Sequence, residues 1–184
     1  MKDIIIKKYT FKQLTKSIKE QLRQEVLLNF PDVKAFKTRF YYQIPPHFMF
    51  IAWHKGSIIG QRYLTTKVRP IDGKKYKIAG IGITVKKAFQ GKGIGKKLTN
   101  EVLKFIKGNG YDFSMATTSN PVAIHILKKF GFKKLKRKIT YNDIKTRKII
   151  TEDETVMVKD FQGNRLIKDL EKSKKPIYMG IGVW

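Results

Sequence analysis

A strand pattern leads through three closely spaced glycines into a helix pattern, and this order leaves few folds open to the chain. The strand pattern ends at Val85, and Gly91, Gly93 and Gly95 follow it closely. Glycine has no Cβ, so amide groups in such a turn can converge on an anion. The helix that follows adds unpaired amides and the positive end of its dipole. Two interpretations remain open at this point, a pyrophosphate-binding loop and a glycine-rich turn without a ligand.

The spacing disfavours two other phosphate-binding motifs. A P-loop requires Gly-Lys-Ser or Gly-Lys-Thr at a fixed distance from an earlier glycine, and the chain has neither. The dinucleotide fingerprint requires G-x-G-x-x-G, which Gly91-x-Gly93-x-Gly95 does not match. No βαβ pattern with an acidic ribose partner follows the glycines, so a dinucleotide-binding fold is not expected.

Apolar periodicity and turn residues predict a mixed α/β order of elements. The strand patterns cover residues 3–9, 47–54, 57–69, 76–85, 111–118, 132–140 and 154–159, with an extended segment at 176–184. The helix patterns cover about 20 residues after the capping box Thr10-Phe11-Lys12-Gln13, residues 94–108, residues 121–130 after the N-cap Asn120, and a short helix at 164–173. Turns are expected at Lys55-Gly56 and at residues 70–73. We see no linker or repeat and expect a single domain over residues 1–184.

Two motifs resemble signatures of the GNAT acyltransferase superfamily, in the family's order and about 25 residues apart. They are Gln90-x-x-Gly93-x-Gly95, similar to its pyrophosphate-binding signature, and Asn120-x-x-Ala123-x-x-Ile126-Leu127-x-x-x-Gly131-Phe132, similar to its second signature. The order of predicted elements is also similar to the family's. The resemblance implies an α/β (α+β) GNAT fold, with a mixed central sheet of about 6–7 strands and flanking helices.

The resemblance also implies acetyl-CoA as the acyl donor, held by the glycine loop and its neighbours. The residues implied are Ile83, Thr84, Val85, Gln90, Gly91, Lys92, Gly93, Ile94, Gly95, Lys96 and Asn120. Backbone groups of Ile83 and Val85 would align the pantetheine arm and polarise the thioester carbonyl. Asn120 would lie near that arm, although a plain helix cap explains it equally well. The implied reaction is acetyl transfer to an amine, catalysed largely by proximity.

Shorter segments resemble aminoglycoside 2′-N-acetyltransferases and, more distantly, the nodulation-factor acyltransferases. They are residues 30–32, the hairpin 51–59, residues 152–158 and the terminal Gly182-Val183-Trp184. The likeness implies substrate contacts from Asp32, Glu152, Asp153 and the α-carboxylate of Trp184. Two acids of that family are replaced here, by Ile81 and Gly182, so we expect a less acidic acceptor site than a polycation requires. A neutral, monobasic or acidic amine, or a protein or nucleotide surface, fits such a site better.

The sequence is least informative about the catalytic groups. Leu127 stands where the family carries a tyrosine as general acid, and leucine cannot donate a proton. The CoA thiolate is a fair leaving group at neutral pH, so the acid is helpful but not obligatory. Ser119 is the catalytic candidate, because its hydroxyl precedes Asn120 at a strand end and could bond the acceptor or the thiol. The three histidines, His47, His54 and His125, are better explained as structural or surface residues.

Composition bounds the remaining function classes. The chain has no cysteine, which excludes a thiol nucleophile, disulfides and thiolate metal sites, and we expect no metal. No stretch reaches the roughly 18 apolar residues of a membrane span. Residues 1–6 lack the apolar region of a signal peptide. We therefore expect a cytoplasmic protein with no membrane partner, and a homodimer is compatible with everything in the sequence.

The net charge of +26 has two interpretations. It indicates binding to a polyanion such as nucleic acid, or it reflects a coding bias toward lysine. Only seven of the 40 basic residues are arginines, whereas sequence-specific nucleic-acid readers favour arginine. Beside the N-acetyltransferase hypothesis, two alternatives remain: a CoA-binding but catalytically weak module, and a basic nucleic-acid-binding protein.

Overall fold

The computed structural model describes residues 3–163 and 165–184, and within them it contains ten strands and four α-helices. The strands are β1 (Ile5–Thr10), β2 (Phe48–His54), β3 (Ser57–Ile71), β4 (Lys74–Val85), β5 (Phe113–Thr118), β6 (Lys133–Lys134), β7 (Ile139–Asn142), β8 (Ile149–Thr151), β9 (Thr155–Asp160) and β10 (Ile177–Ile181). The helices are α1 (Lys16–Asn29), α2 (Ile94–Gly108), α3 (Pro121–Lys129) and α4 (Leu166–Leu170). Seven strands form a mixed sheet in the order β1-β2-β3-β4-β5-β9-β6, and three form a second sheet, β10-β7-β8. The mixed central sheet confirms the expected fold class.

Backbone contacts divide the described chain into two compact units. The first contains the described residues up to Thr65, together with Gly82–Phe105 and Trp184. The second contains Thr66–Ile81 and Ile106–Val183. The glycine loop therefore belongs to the first unit, whereas Ser119 and Asn120 belong to the second.

The core of the first unit lies between α1 and the hairpin of β2 and β3. Leu22 and Val26 of α1 pack there with Met49 and Ile51 of β2, all four buried. The hairpin was predicted, and its turn at Lys55-Gly56 has positive φ at both positions, 47° and 76°. Two positive φ values match the right-handed twist of the flanking strands, which is why this turn joins β2 and β3 directly.

Helix α1 begins later than the sequence predicts. The capping box is present, and the Thr10 amide donates to Gln13 Oε1 at 2.8 Å, but the box closes only a 3₁₀ turn at Phe11–Gln13. Leu14 then adopts an extended backbone, with ψ of 115°. Thr15 caps α1 by accepting a hydrogen bond from an amide of the first turn at 3.3 Å. The helix therefore has 14 residues, fewer than predicted, because a second threonine supplies its cap.

In the second unit β5 lies between β4 and β9. Strand β4 pairs with it in parallel at residues 78–80, and β9 pairs with it antiparallel along its whole length. Helix α3 follows β5, and Asn120 caps it as predicted. Its Oδ1 accepts hydrogen bonds from the amides of Val122 at 2.9 Å and Ala123 at 3.3 Å. Gly131, with φ of 80°, follows the helix and confirms the predicted stop.

The prediction of one strand over residues 132–140 is wrong. This segment is divided into β6, which pairs with β9, and β7, which pairs with β8 and β10. Arg137 lies between them and is buried, and its guanidinium binds the Asp72 carboxylate and the carbonyl oxygens of Leu170 and Lys175. A strand presents its backbone groups to neighbouring strands. The residues between β6 and β7 instead place the Arg137 guanidinium among its acceptors, and strand pairing is interrupted there.

Smaller differences concern turns and chain ends. Pro70 lies inside β3 and not in the turn predicted at residues 70–73, since the reversal falls on Asp72 and Gly73, which both have positive φ. The exposed strand β8 carries too little alternation to be predicted. The short helix predicted at 164–173 is α4, while Asn164 lies outside the described residues.

Candidate functional site

The glycine loop connects β4 to α2 and is exposed to solvent. A 3₁₀ turn at Lys87–Phe89 leads to Gly91 and Gly93, whose φ angles are 72° and 77°. A Cβ added at either glycine would meet no atom within 4 Å. Backbone conformation, and not lack of space within the protein, is therefore what requires glycine at both positions.

Gln90 ties the loop back to the strand that precedes it. Its side-chain Nε2 donates to the Val85 carbonyl at 3.0 Å. Next to it, the Phe89 ring packs against the ring of His54 with centroids 5.9 Å apart, and Lys92 Nζ lies 5.3 Å from the same Phe89 centroid. Gln90 was predicted to contact the cofactor, and in the structure its side chain attaches the loop to the end of β4. These contacts fix where the glycines sit relative to the end of β4.

Helix α2 begins directly after the glycines, and its first turn presents free amides. The Lys97 amide donates to the Gly93 carbonyl at 3.0 Å, which is the helical hydrogen bond that Gly93 accepts. The amides of Ile94, Gly95 and Lys96 precede Lys97, so helix geometry gives them no acceptor inside the helix. Backbone donors of this kind, with the positive end of the helix dipole, form an anion site of the sort that binds phosphate.

Two side chains beside these amides, those of Ile94 and Thr84, are packed inward. Ile94 is 1% exposed, and its Cγ2 would lie 3.2 Å from a Cβ at Gly60. A Cβ at Gly95 would meet Ile83 Cδ1 at 3.4 Å. Thr84 is also buried. Ile94 and Thr84 can therefore contribute backbone groups to a ligand here, but not their side chains.

The loop lies in a segment that carries only positive charge. No aspartate or glutamate occurs between residues 73 and 100. The basic side chains nearest the glycines in sequence are exposed: Lys87, Lys92, Lys96 and Lys97. Lys86 is different, since its Nζ lies 3.2 Å from Oε1 of Glu25, a side chain that is only 8% exposed. The field at the loop favours a multiply charged anion.

In the second unit, the end of β5 carries Ser119 and Asn120 side by side. Ser119 Oγ donates to Glu154 Oε1 at 3.4 Å, a partner that the sequence did not reveal. The Asn120 amide donates to Thr118 Oγ1 at 3.1 Å, while the Asn120 side chain is used by the cap of α3. The cap is thus confirmed as one role of Asn120, and its contact with pantetheine stays a prediction.

Glu154 belongs to a run of three acids, and the sequence had singled out the other two. Glu152 accepts a hydrogen bond from the Glu154 amide at 3.4 Å, and burial raises the pKa of the Glu152 carboxyl above its usual value. Asp153 points outward, with its side chain 96% exposed and Lys138 Nζ at 3.5 Å. The run therefore offers one half-buried carboxyl that holds its proton more readily than an ordinary glutamate. Pairing of β9 with β5, at Thr155 and Thr118, sets this run beside Ser119.

The other two predicted substrate residues lie in the first unit. Asp32 is exposed just beyond the end of α1. Trp184, the last residue, is only 7% exposed, and its indole Nε1 is buried with no hydrogen-bond partner among the described residues. An indole N–H usually finds an acceptor when buried, so this donor is available to a further group.

The positions at which the sequence departs from the family pattern, and the histidine near them, have a defined exposure in the structure. Leu127 is 5% exposed and Ile81 1%, so each side chain serves packing and neither supplies a proton. His125 is exposed on α3. Among the described residues, no group of three His, Asp or Glu side chains is arranged to hold a metal, and no helix is long and apolar enough to cross a membrane.

Comparison with solved structures agrees with this architecture. An N-acetyltransferase from Staphylococcus aureus Mu50 superposes with a TM-score of 0.60 at 19% identity, covering 87% of this chain and 99% of that one. A GNAT acetyltransferase from Brucella melitensis in complex with acetyl-CoA gives 0.51 at 22% identity, covering 71% and 83%. A phosphinothricin acetyltransferase from Sinorhizobium meliloti, also with acetyl-CoA, gives 0.53 at 18% identity, covering 85% and 88%. At these identities the likeness establishes the fold.

The sequence itself establishes the family. No curated protein sequence matches the chain. A profile of the acetyltransferase (GNAT) family matches residues 13–132, which include the glycine loop and α3. That match spans well over half of the chain and contains both motifs singled out in the sequence. The chain therefore belongs to the GNAT family of acetyltransferases, whose members take acetyl groups from acetyl-CoA.

Proposed function

We propose that the protein transfers the acetyl group of acetyl-CoA to the nitrogen of an amine. The observation that carries this proposal is the exposed loop before α2, where Gly91 and Gly93 lead into amides that lack helical acceptors. A diphosphate offers the charge and the acceptor oxygens that such a loop favours. Membership of the GNAT family supports the choice of acetyl-CoA, and two solved structures with the same fold contain it.

The reaction makes modest demands on side chains. The amine nitrogen attacks the thioester carbonyl carbon, the C–S bond breaks with its electron pair on the CoA sulfur, and the nitrogen releases its proton to water. Positioning the two reactants accounts for much of the rate. We assign the pantetheine contacts to backbone groups of Ile83 and Val85, since the Val85 carbonyl accepts one hydrogen bond from Gln90 and keeps a second lone pair. The remaining cofactor contacts are the backbone amides of Gly91, Gly93, Gly95 and Lys96.

Isothermal titration with acetyl-CoA tests the binding half of this proposal. We expect saturable binding at sub-millimolar concentration, and weaker binding by a variant in which Gly93 is replaced by valine. Gly108→Val is the matched control, since Gly108 ends the same helix and a Cβ there meets no atom within 4 Å. Failure of the unmodified protein to bind acetyl-CoA below millimolar concentration would exclude the enzymatic interpretation.

We place Ser119 at the catalytic step, with Glu154 orienting its hydroxyl. The 3.4 Å contact directs the Ser119 proton toward the carboxylate, which leaves the Oγ lone pairs to accept a hydrogen bond from the N–H of the attacking neutral amine or from the S–H of the released CoA. Ser119→Ala should lower kcat with little effect on the KM for acetyl-CoA. Leu127→Tyr tests whether a general acid is missing: a higher rate of CoA release would support that idea, and an unchanged rate would remove it.

We propose an acceptor of the aminoglycoside type with fewer positive charges. The acids available to it are Asp32, Glu152, Asp153 and the α-carboxylate of Trp184, whereas Ile81 and Gly182 provide none. CoA release should be compared for a monoamine, a 2-amino sugar and an aminoglycoside at equal concentration. The proposal predicts that the amino sugar has the largest kcat/KM, and a clear preference for the aminoglycoside would contradict it.

A second function, binding of polyanions, has support from the charge distribution. The chain carries +26, and the 26 residues after Gly73 include no acid. A salt titration of duplex DNA and RNA binding distinguishes a dedicated function from nonspecific attraction. Tight binding at about 150 mM salt with a sequence or strand preference would establish it, and weak binding without preference would reduce it to general attraction.

A further inference from the structure

The second unit contains a lysine enclosed by the backbone of the C-terminal strand. Lys67 of β3 is 5% exposed, and its Nζ donates to three carbonyl oxygens. They belong to Met179, at 2.8 Å, Ile181, at 3.2 Å, and Gly182. An ammonium has three N–H donors, so this arrangement uses all of them.

A second cation on the same face of β3 joins the first. Arg69 lies two residues further, so its side chain points to the same side of the sheet. Its Nε donates to the Met179 carbonyl at 3.0 Å. Gly180, with φ of 81°, lies directly against this guanidinium, where a Cβ would overlap it. Lys67 and Arg69 thus bind the backbone carbonyls of residues 179–182, and not the side chains of those residues.

The C-terminal strand is shaped to meet these cations. The parallel register of β10 with β7 shifts between Tyr178 and Ile181, which is where the carbonyls turn toward Lys67. Gly180 and Gly182 both have positive φ, which allows the chain to bend there. Burying an ammonium is unfavourable unless acceptors surround it. Burial lowers the pKa of Lys67 to about 8, with the charge of Arg69 adding to the effect.

We propose that Lys67 is a positioning residue: it fixes the bend at residues 179–182 and thereby restrains the chain that leads through Val183 to Trp184, a residue that the proposed function assigns to the acceptor. Only Val183 separates the enclosed Gly182 carbonyl from Trp184, so the restraint passes through two residues of backbone. The assignment of Trp184 to the acceptor rests on the proposed function. The restraint on Trp184 by Lys67 can be tested without it.

The test uses tryptophan fluorescence. The chain has two tryptophans, so Trp53→Phe leaves Trp184 as the single reporter. In this background Lys67→Met should shift the Trp184 emission to the red and raise its quenching by acrylamide at least twofold, because the carbonyls lose their donor. Lys67→Arg, which keeps a buried cation with several donors, should restore most of the native signal. Lys77→Met is the control, since Lys77 Nζ donates to a single, exposed carbonyl, of Asn109, at 2.8 Å.

Two further measurements separate positioning from general stability. We expect the acetyl-CoA dissociation constant to stay within about twofold in Lys67→Met, equivalent to about 0.4 kcal/mol. With an amine that the unmodified protein acetylates, the KM for that amine should rise about tenfold, with a smaller change in kcat. If Lys67→Met does not fold, Lys67→Gln, with two amide donors, is measured in the same way.

Each result decides one of the two proposals. Unchanged emission and quenching of Trp184 in both Lys67→Met and Lys67→Gln would overturn the positioning role. A loss confined to kcat, with the amine KM unchanged, would also overturn it. If no variant and no unmodified protein binds acetyl-CoA, the proposed function fails, while the fluorescence result still decides the restraint on Trp184.

Discussion

The glycine loop of the first unit and the C-terminal strand of the second unit each direct several backbone polar groups toward a site of their own. They differ in whether a side chain of the protein already binds those groups. At the loop, amides of the first turn of α2 have no acceptor inside the helix, and the segment around them is cationic. At the C-terminal strand, three carbonyls converge and Lys67 fills the space between them. Convergent backbone groups met by the chain's own side chain build structure, whereas those left open and exposed indicate a ligand.

Glycine has a different task in each region. Gly91 and Gly93 need positive φ but have free space beside them, whereas Gly180 needs positive φ and also has no space beside it. Substitutions that add one methyl group should therefore separate the two regions clearly.

Gly180→Ala should lower the free energy of unfolding by about 2–3 kcal/mol. The added Cβ displaces the half-buried Arg69 guanidinium from the Met179 carbonyl, a loss of about 1 kcal/mol, and a left-handed backbone costs about 1–2 kcal/mol more. Urea unfolding followed by circular dichroism measures the change. Gly110→Ala is the control, because Gly110 has φ of 64° with no atom within 4 Å of an added Cβ, and a loss as large there would refute the role of the contact with Arg69.

The pH dependence of stability should report Lys67. Burial lowers its pKa in the folded protein to about 8, whereas an unfolded lysine titrates near 10.4. Between these values the unfolded chain binds more protons, so this group makes the protein more stable as pH rises, by up to about 1.4 kcal/mol per pH unit. The unfolding free energy of the unmodified protein minus that of Lys67→Met should therefore become more positive from pH 8 to pH 10. A difference that is flat or shrinks over this range would contradict the assignment.

Gly93→Ala should affect the ligand more than the fold. We expect a loss of about 1 kcal/mol in stability from the positive φ, and acetyl-CoA binding weaker by about tenfold, or about 1.4 kcal/mol. Calorimetric titration and urea unfolding of the same preparation give the two numbers. Gly108→Ala serves as control, since it lies at the other end of α2. Equal affinity in Gly93→Ala and the unmodified protein would show that the loop amides do not hold the diphosphate.

Gln90→Ala should have the smallest effect of the four. It removes one exposed hydrogen bond to the Val85 carbonyl, so stability should fall by about 0.5–1 kcal/mol. Acetyl-CoA affinity should fall by a few fold, because the loop that carries the glycines loses its side-chain hydrogen bond to the end of β4. Gln162→Ala, at an exposed glutamine outside the loop, gives the baseline for the loss of an exposed amide. An effect on affinity larger than that of Gly93→Ala would mean that Gln90 contacts the ligand directly.

Local patterns were sufficient to predict most of the fold and the main candidate site. The hairpin at Lys55-Gly56, the cap at Asn120 and helix α2 each depend on residues close together in sequence, and each was confirmed. The predicted start of α1 was wrong because two threonines can begin a helix: Thr10 precedes only a 3₁₀ turn, and Thr15 caps α1.

The contacts that sequence could not reveal join distant segments. Lys67 meets carbonyls more than 110 residues away, and Arg137 meets Asp72 from the interval that interrupts the predicted strand. The hydrogen-bond acceptors of a buried lysine or arginine cannot be predicted from the sequence around it, because here those acceptors are backbone carbonyls or a single distant acid. Ser119 was predicted as a site residue, but its neighbour Glu154 became visible only through the pairing of β9 with β5.

Because β9 lies between β5 and β6 in the sheet, a truncation that removes β9 should change the solubility of the remaining chain. The family profile ends at residue 132, before β9 begins. Strand β9 pairs with all six residues of β5. A polypeptide truncated after Phe132 would leave β5 with an uncovered row of amides and carbonyls, a surface on which chains aggregate. We therefore expect the segment matched by the family profile not to stay soluble on its own, because β9, which covers β5, lies outside that match.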